Sequence, residues 1–139
     1  MARAIVIPAL LKFAAPAAAA DYFYSGPVIK VTDGDTFTVS HEGQSVRVRF
    51  CGVDSPERSQ PGYSEASKEL GRLTEGKDVR CVQVGGGTPC DGRSNAASRD
   101  RIVAQCFVGD RDIAMEMICS GNAKDWPKFS GGYYASCKR

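Results

Sequence analysis

A run near the middle of the chain joins a strand pattern to an abrupt stop: Val46-Arg47-Val48-Arg49-Phe50-Cys51-Gly52-Val53-Asp54-Ser55-Pro56-Glu57. Val46, Val48 and Phe50 alternate with two arginines, so an apolar row and a cationic row face opposite sides of a predicted strand. Gly52 and Pro56 end the strand, because glycine loosens the backbone and proline restricts the residue before it. Charged groups in and just after such a strand suit a rigidly mounted site better than a packed core.

Two further strand patterns precede this run. Residues 28–31 and 36–39 are rich in β-branched and aromatic residues. Asp33-Gly34-Asp35 and residues 41–44 have the composition of tight turns. Three strands joined by two such turns predict an antiparallel meander.

The pattern changes after Pro56. Apolar residues recur at helical spacing between residues 61 and 74, and Gly76 can end that helix. Residues 79–84 and 102–108 are predicted as a fourth and a fifth strand, separated by a long loop that begins with three glycines. Asp112 can cap a second helix that runs to Gly121, and a last short helix is expected over residues 133–138.

This element order is mainly β with attached helices, in the α+β class. It matches a five-stranded Greek-key barrel of OB type with about three helices. A split α+β sheet is the alternative that the pattern leaves open. With 139 residues, 42% of them hydrophobic, the chain is expected to form one domain with a modest core.

The first twenty residues are expected to lie outside that domain. Arg3 precedes an apolar run, which is followed by a stretch of small residues that ends in Ala17-Ala18-Ala19-Ala20. This pattern is typical of a signal peptide over residues 1–20, which leaves a domain over residues 21–139. Lys12 fits the pattern poorly, and a disordered Ala-rich arm is the alternative. No other apolar stretch is long enough to span a bilayer, so no membrane association is expected after signal removal.

The charge balance gives no support for bulk affinity toward polyanions. Removing Arg3 and Lys12 with the first twenty residues reduces the 18 basic residues to 16, equal to the 16 acidic ones. Any phosphate binding must therefore come from a local cluster of arginines.

Six cysteines in a domain of this size, behind an export signal, predict disulfides and a periplasmic or secreted location. They show no C-x-x-C spacing and the chain has a single histidine, so a zinc site is disfavoured. Cys81 and Cys106 fall on adjacent predicted strands, and Cys119 can tie the second helix to the last through Cys137. Cys51 and Cys90 remain, either paired with each other or free.

Several charged residues are candidates for a site. Asp35 begins the second strand and Asp54 follows the third, and a meander brings such strand ends together. Two carboxylates that meet there repel each other unless a hard divalent cation binds, and oxygen ligands favour calcium or magnesium over zinc. For each acid taken singly, a turn or a solvated carboxylate is the competing interpretation.

The arginines and a third acid complete the candidate set. Arg49 has the forked, permanently charged side chain that suits a phosphate, and Arg101 can supply a second clamp, with Arg99 as its rival. Glu57 can position or deprotonate a water. These are the parts that hydrolysis of a phosphodiester requires. A surface salt bridge is the competing interpretation for either arginine alone.

Three segments together resemble the staphylococcal nuclease (thermonuclease) family, in its exported, cysteine-containing bacterial branch. They are Asp33-Gly34-Asp35-Thr36, then residues 48–50 leading into residues 53–57, then Arg101-Ile102-Val103-Ala104. The likeness extends from about residue 28 to the end of the chain. It implies an OB barrel with attached helices that cuts nucleic acid.

The resemblance also implies roles for individual residues. The carboxylates of Asp35 and Asp54 and the main-chain carbonyl of Ser55 would bind one calcium ion, in preference to magnesium. Glu57 would match the general base of the family. Arg49 and Arg101 would match its phosphate-binding pair.

The chain departs from the family before Arg101. The family usually shows Asp-x-Tyr-Gly-Arg, whereas this chain has Ala97-Ser98-Arg99-Asp100-Arg101. Asp100 is therefore expected to lower the pull of the neighbouring clamp on phosphate, and Arg99 is a candidate replacement for a lost basic contact. Trp126 is expected to anchor the terminal helix, with stacking on a base as the functional alternative.

The expected function is that of an exported, calcium-dependent nuclease, monomeric, acting on DNA or RNA. Little sequence preference is expected, because no base-reading set is evident. The alternative is a disulfide-stapled OB module that binds nucleic acid or a protein partner without turnover. A calcium-stabilised structural domain is a third interpretation, which needs the acids but not the arginines.

Overall fold

The computed structural model describes residues 3–5, 9 and 22–139. The predicted signal peptide lies outside these residues, apart from residues 3–5 and 9, and stays a prediction. Within the described part of the chain, no helix combines the length and the apolar character that a bilayer crossing demands.

Five strands close into a barrel. The predicted meander is formed by β1 (Phe23–Asp33), β2 (Thr36–His41) and β3 (Gln44–Phe50), each antiparallel to the one before. The first half of β1 also pairs with β5 (Asp78–Gln83), and β5 pairs in turn with β7 (Arg101–Val108). A parallel pairing of β3 with β7 closes the ring. The predicted five-stranded OB barrel is confirmed, and the split sheet is excluded.

Three helices and four short strands complete the described fold. The helices are α1 (Tyr63–Thr74), α2 (Ile113–Cys119) and α3 (Pro127–Ser130). The short strands are β4 (Val53–Asp54), which pairs with β9 (Lys124–Asp125), and β6 (Ala97–Ser98) and β8 (Arg111–Asp112), which both pair with β7.

The last helix was predicted in the wrong place. Residues 133–138 begin in a turn and continue as irregular chain, and the third helix is instead α3, six residues earlier. Pro127 occupies its first turn, where a missing N–H costs nothing, and Gly131 ends it in the left-handed conformation with φ 63°. β1 also begins five residues before its predicted start, because its first residues pair with β5 in spite of Gly26 and Pro27.

The core lies inside the barrel and beneath α1 and α2. Its largest fully buried side chains include Phe37, Phe50, Leu70 and Met117. Tyr134 packs into the same core and donates a 2.7 Å hydrogen bond to Asp112, the predicted cap of α2. Burial and the Asp112 carboxylate raise the pKa of Tyr134 far above its ordinary value, so the hydroxyl remains a donor.

Three disulfides account for all six cysteines. Cys81 and Cys106 are directly opposite in the β5–β7 ladder, and Cys119 bonds Cys137, so both favoured pairings are confirmed. The pair that the sequence left open is also joined, because Cys51 bonds Cys90. That bridge fastens the long loop to the end of β3.

The turn between β1 and β2 allows a test of the fold. A Cβ at the buried Gly34 would lie 2.7 Å from Cβ of Ala66 on α1 and 2.9 Å from Oγ of Ser55. Gly34→Ala should therefore lower the free energy of unfolding, measured in urea, by about 1–3 kcal/mol. Gly71→Ala is the matched control. It lies inside α1 with nothing near its Cβ position, and should raise that free energy by about 0.5–1 kcal/mol. A Gly34 variant as stable as the parent would contradict the packing described.

Candidate active site

A cleft of about 400 Å³ lies where β3 leaves the barrel. Six of the eight residues predicted for the site line it: Asp35, Arg49, Asp54, Glu57, Arg101 and Trp126. The sheet register explains this convergence. Arg49 lies opposite Thr36 on β2 and beside Val103 on β7, so the start of β2, the end of β3 and the start of β7 share one end of the barrel.

Arg49 lies at the centre of the cleft. Its Nη1 donates to the carbonyls of Phe50 at 2.6 Å and Val53 at 2.9 Å, which fixes the guanidinium against the turn after β3. Its Nη2 faces two acids, 3.5 Å from Oδ2 of Asp35 and 3.9 Å from Oδ1 of Asp54. One guanidinium therefore orders a turn and gathers both predicted metal-binding carboxylates.

Asp35 is buried, and its carboxylate is held by hydrogen bonds. Oδ1 accepts from Oγ1 of Thr36 at 2.9 Å, and Oδ2 accepts from the main-chain N–H of Ser55 at 3.1 Å. Asp54 is largely exposed by contrast. Ser55 does not line the cleft, but its bond to Asp35 places its main chain beside the two acids. Its hydroxyl is buried with no hydrogen-bond partner among the described residues.

Arg101 has an unused donor. Its Nη1 donates to Oγ1 of Thr36 at 3.3 Å, whereas its buried Nε has no hydrogen-bond partner in residues 22–139. An unsatisfied buried donor costs about 1–3 kcal/mol. Arg101 also lines the cleft, where a phosphate oxygen is an acceptor of suitable charge for its guanidinium.

Glu57 and Arg99 differ in their relation to the cleft. Glu57 is exposed at its margin. Its main-chain N–H donates to Oε1 of Gln60 at 2.8 Å and its carbonyl accepts from the main-chain N–H of Gln60 at 2.8 Å, whereas its carboxylate has no hydrogen-bond partner in residues 22–139. Arg99 does not line the cleft, so the structure does not support it as the rival clamp. The reason is the two-residue turn between Ser98 and Arg101, in which Arg99 takes a φ of 58° and lies exposed.

Trp126 lies at the start of α3 and in the wall of the cleft. Its main-chain N–H donates to the carbonyl of Gly52 at 2.8 Å. Because Trp126 immediately precedes α3, this bond anchors the start of that helix. The residue is 42% exposed, and its ring meets Phe129 edge to face, with centroids 4.8 Å apart. Both rings line the cleft, so they present an aromatic wall to a ligand.

Sequence reasoning missed several lining residues, among them Asp33, Ser94, Asn95 and Ser98. The sequence motif around Asp33 predicts a turn residue. Its spacing of two from Asp35 nevertheless indicates that both carboxylates can lie on the same face of the chain. The loop residues carried no such signal. Their position depends on the Cys51–Cys90 bridge and on Asp91, whose carboxylate accepts from Gly85 and Gly87 N–H groups at 2.7 and 2.8 Å.

Asp33 carries the clearest electrostatic perturbation in the cleft. Burial raises its pKa to about 6, and the neighbouring Asp35 adds to the rise. Its Oδ1 accepts the N–H of Asp35 at 3.0 Å. The cleft thus contains more carboxylate charge than Arg49 relieves at neutral pH.

This shift gives a pH-dependent stability. Because the folded pKa lies above the unfolded value, Asp33 favours the fold while protonated, and that contribution is lost as pH rises from about 4 through about 6. Asp33→Asn keeps an oxygen acceptor without the charge. In metal chelator at pH 7.5 it should raise the melting temperature by roughly 2 °C, with no gain at pH 4. Asp110→Asn, in the exposed β7–β8 turn, is the control and should show no such pH dependence. A gain of equal size at both pH values would contradict the assignment.

The acids suit a hard cation. Among the described residues no three acidic, histidine or cysteine side chains converge into a complete ligand set. Asp35 and Asp54 nevertheless face the same nitrogen of Arg49, and the nearby donors are all oxygens with no histidine. Two carboxylates completed by main-chain and water oxygens are a ligand set that calcium accepts. The donor chemistry therefore fits the cation that the resemblance implies.

Comparison with known proteins gives three similarities. The chain is 30% identical over 104 residues to a protein of Haemophilus influenzae named an uncharacterized endonuclease, covering 74% of this chain and 53% of that protein. It is 33% identical over 81 residues to the micrococcal nuclease of Shigella flexneri, covering 58% and 45% of the two chains. It is 42% identical over 70 residues to protein ParB of Escherichia coli, covering 50% and 38%.

The chain spans about half the length, or less, of these relatives. No family model matches it. The similarities agree with the closed five-stranded barrel. On these grounds the chain belongs to a staphylococcal nuclease-like family.

Proposed function

We propose that the protein is a calcium-dependent nuclease that hydrolyses phosphodiester bonds of DNA or RNA in the cleft. The observation that carries this proposal is the placement of Arg49 and Arg101 in one cleft with Asp35, Asp54 and Glu57. Two similar proteins are named as an endonuclease and a nuclease, which supports the same chemistry.

The arginines bind and neutralise the phosphate. Arg101 lines the cleft and offers its guanidinium fork to the phosphoryl oxygens. Arg49 is already fixed by two carbonyls, so little reorganisation is needed when charge develops on the oxygens. Asp35 and Asp54, with the main-chain carbonyl of Ser55, would hold the ion. When bound, calcium supplies positive charge that polarises a phosphoryl oxygen.

Glu57 prepares the nucleophile. It is the acid at the cleft margin whose side chain is exposed and has no ion-pair partner among residues 22–139, so it is free to accept a hydrogen bond from water. As the water oxygen bonds to phosphorus and the bond to the leaving oxygen breaks, the proton from water passes to the Glu57 carboxylate. The arginines neutralise the added negative charge at that point.

The cleft suits a single-stranded or frayed substrate with little sequence preference. The polar groups of its centre match phosphate, whereas Trp126 and Phe129 offer a ring face on which any base can stack. A scissile phosphate must leave the line of a stiff duplex to enter a site set into the barrel end. Trp126 is the proposed base-stacking residue.

The proposed place of action is periplasmic or secreted, and the active form is a monomer. Three disulfides in a chain of 139 residues support an oxidising compartment. The pattern of residues 1–20 supports export.

The proposal is tested with fluorescent single-stranded DNA and RNA oligomers, incubated with the purified protein in calcium and in chelator. Cleavage should require calcium. Glu57→Gln should lower kcat by about 10²-fold or more, because general-base catalysis contributes roughly 10²–10⁴-fold. Glu65→Gln in the exposed first turn of α1 is the matched control and should cleave like the parent.

Other outcomes would overturn the proposal. Tight binding of the oligomers without cleavage would favour the non-catalytic OB module. A calcium-dependent rise in melting temperature with neither binding nor cleavage would favour a structural calcium site. Cleavage that survives in Glu57→Gln would remove this residue from the mechanism.

A further inference from the structure

We propose that Asp100 is a positioning residue for Arg101, which it aims into the cleft through an ion pair with Arg47. This inference rests on the proposed function. It reverses the expectation drawn from sequence, in which an acid beside Arg101 weakens the phosphate clamp.

The segment that presents Arg101 is weakly held. β6 has two residues, and it pairs with the start of β7 through Ala97 opposite Ile102 and Ser98 opposite Arg101. The turn between them consists of Arg99 and Asp100, and Arg99 takes a left-handed φ of 58° that suits glycine better than arginine. A hairpin whose first strand has two residues and whose turn holds an unfavourable residue gains order from a further attachment.

Arg47 provides that attachment. Its Nη1 donates to both carboxylate oxygens of Asp100, at 3.1 and 3.3 Å. Arg47 lies on β3, two residues before Arg49, so both arginines lie on the same face of the strand. β3 is also the parallel neighbour of β7. The ion pair therefore ties the turn before Arg101 to the strand that carries the other clamp residue.

The rest of the site gives Arg101 little other support. Its one side-chain hydrogen bond is the 3.3 Å contact to Thr36, and its Nε has no partner among the described residues. Its direction therefore depends on the backbone at residues 99–101. A small rotation of that hairpin would move the guanidinium relative to the fixed Arg49. A displacement of about 1 Å at a catalytic group can lower the reaction rate by about 10²-fold.

The charge of Asp100 is engaged rather than free. A hydrogen bond from its own backbone N–H, and then the Arg47 guanidinium, hold the pKa of Asp100 below its usual value. The carboxylate thus stays ionised and paired with Arg47. A paired acid repels an incoming phosphate less than an isolated one would, because the adjacent guanidinium offsets its field.

The test compares Asp100→Asn, Arg47→Gln and the charge swap Arg47→Asp with Asp100→Arg. Each single variant should lower kcat on an oligodeoxynucleotide by about fivefold, the upper range for an exposed ion pair, with KM changed less than twofold. The swap should recover kcat to within about twofold of the parent, because it restores the pair at unchanged net charge. Asp110→Asn, the loss of an equivalent charge in the β7–β8 turn, is the control and should leave kcat unchanged.

A second background shows that Asp100 acts through Arg101. In Arg101→Ala, the further change Asp100→Asn should have no effect on kcat, because the group it positions is gone. A merely structural role would lower activity in both backgrounds and would follow the melting temperature. A rise in kcat or in affinity for Asp100→Asn would overturn the proposal in favour of simple repulsion, and an unchanged kcat would overturn it as well.

The outcome can be separated from that of the proposed function. If the parent protein does not cleave, the same variants are compared by their affinity for a short phosphorothioate oligodeoxynucleotide in calcium. Asp100→Asn should then weaken binding in the parent and not in Arg101→Ala. Equal affinities in the parent background would overturn the positioning role whatever the catalytic result.

Discussion

The Arg49 guanidinium is the interaction on which the cleft depends. It bonds two carbonyls of the turn that follows β3, and it faces Asp35 and Asp54 with its other nitrogen. Without it, that turn would lose its internal support, and the buried Asp35 would lose its neighbouring positive charge. A structural role and the proposed role in phosphate binding therefore fall on the same side chain, which lies on a strand of the closed barrel.

The barrel was predictable because its strands follow local rules. β2 and β3 alternate apolar and polar residues about short turns, and the core residues Phe37, Val48 and Phe50 follow from that alternation. The same strand ends predict that Asp35, Arg49 and Asp54 lie close together. The position of α3 was not predictable in this way, since four residues are too few for a helical period to show.

The remaining wall of the cleft depends on contacts between residues distant in the chain. Asn95 reaches the cleft through a loop whose conformation is fixed by Asp91 and by the Cys51–Cys90 bridge. Likewise, the carboxylate of Asp100 pairs with Arg47, which lies 53 residues away in the chain. Periodicity and turn chemistry carry no information about such partners, so the ion pair of Asp100 with Arg47 could not be predicted from the sequence.

The bridge between Cys51 and Cys90 joins the floor of the cleft to its loop wall with a covalent bond. In surroundings that keep thiols reduced, the loop would be attached only by its hydrogen bonds, and the wall would be free to open. If the protein is exported and degrades nucleic acid, as proposed, its cleft is completed only after it leaves the compartment that holds the cell's own nucleic acids. The requirement for the Cys51–Cys90 disulfide would then keep the nuclease from acting on the nucleic acids of the cell that makes it.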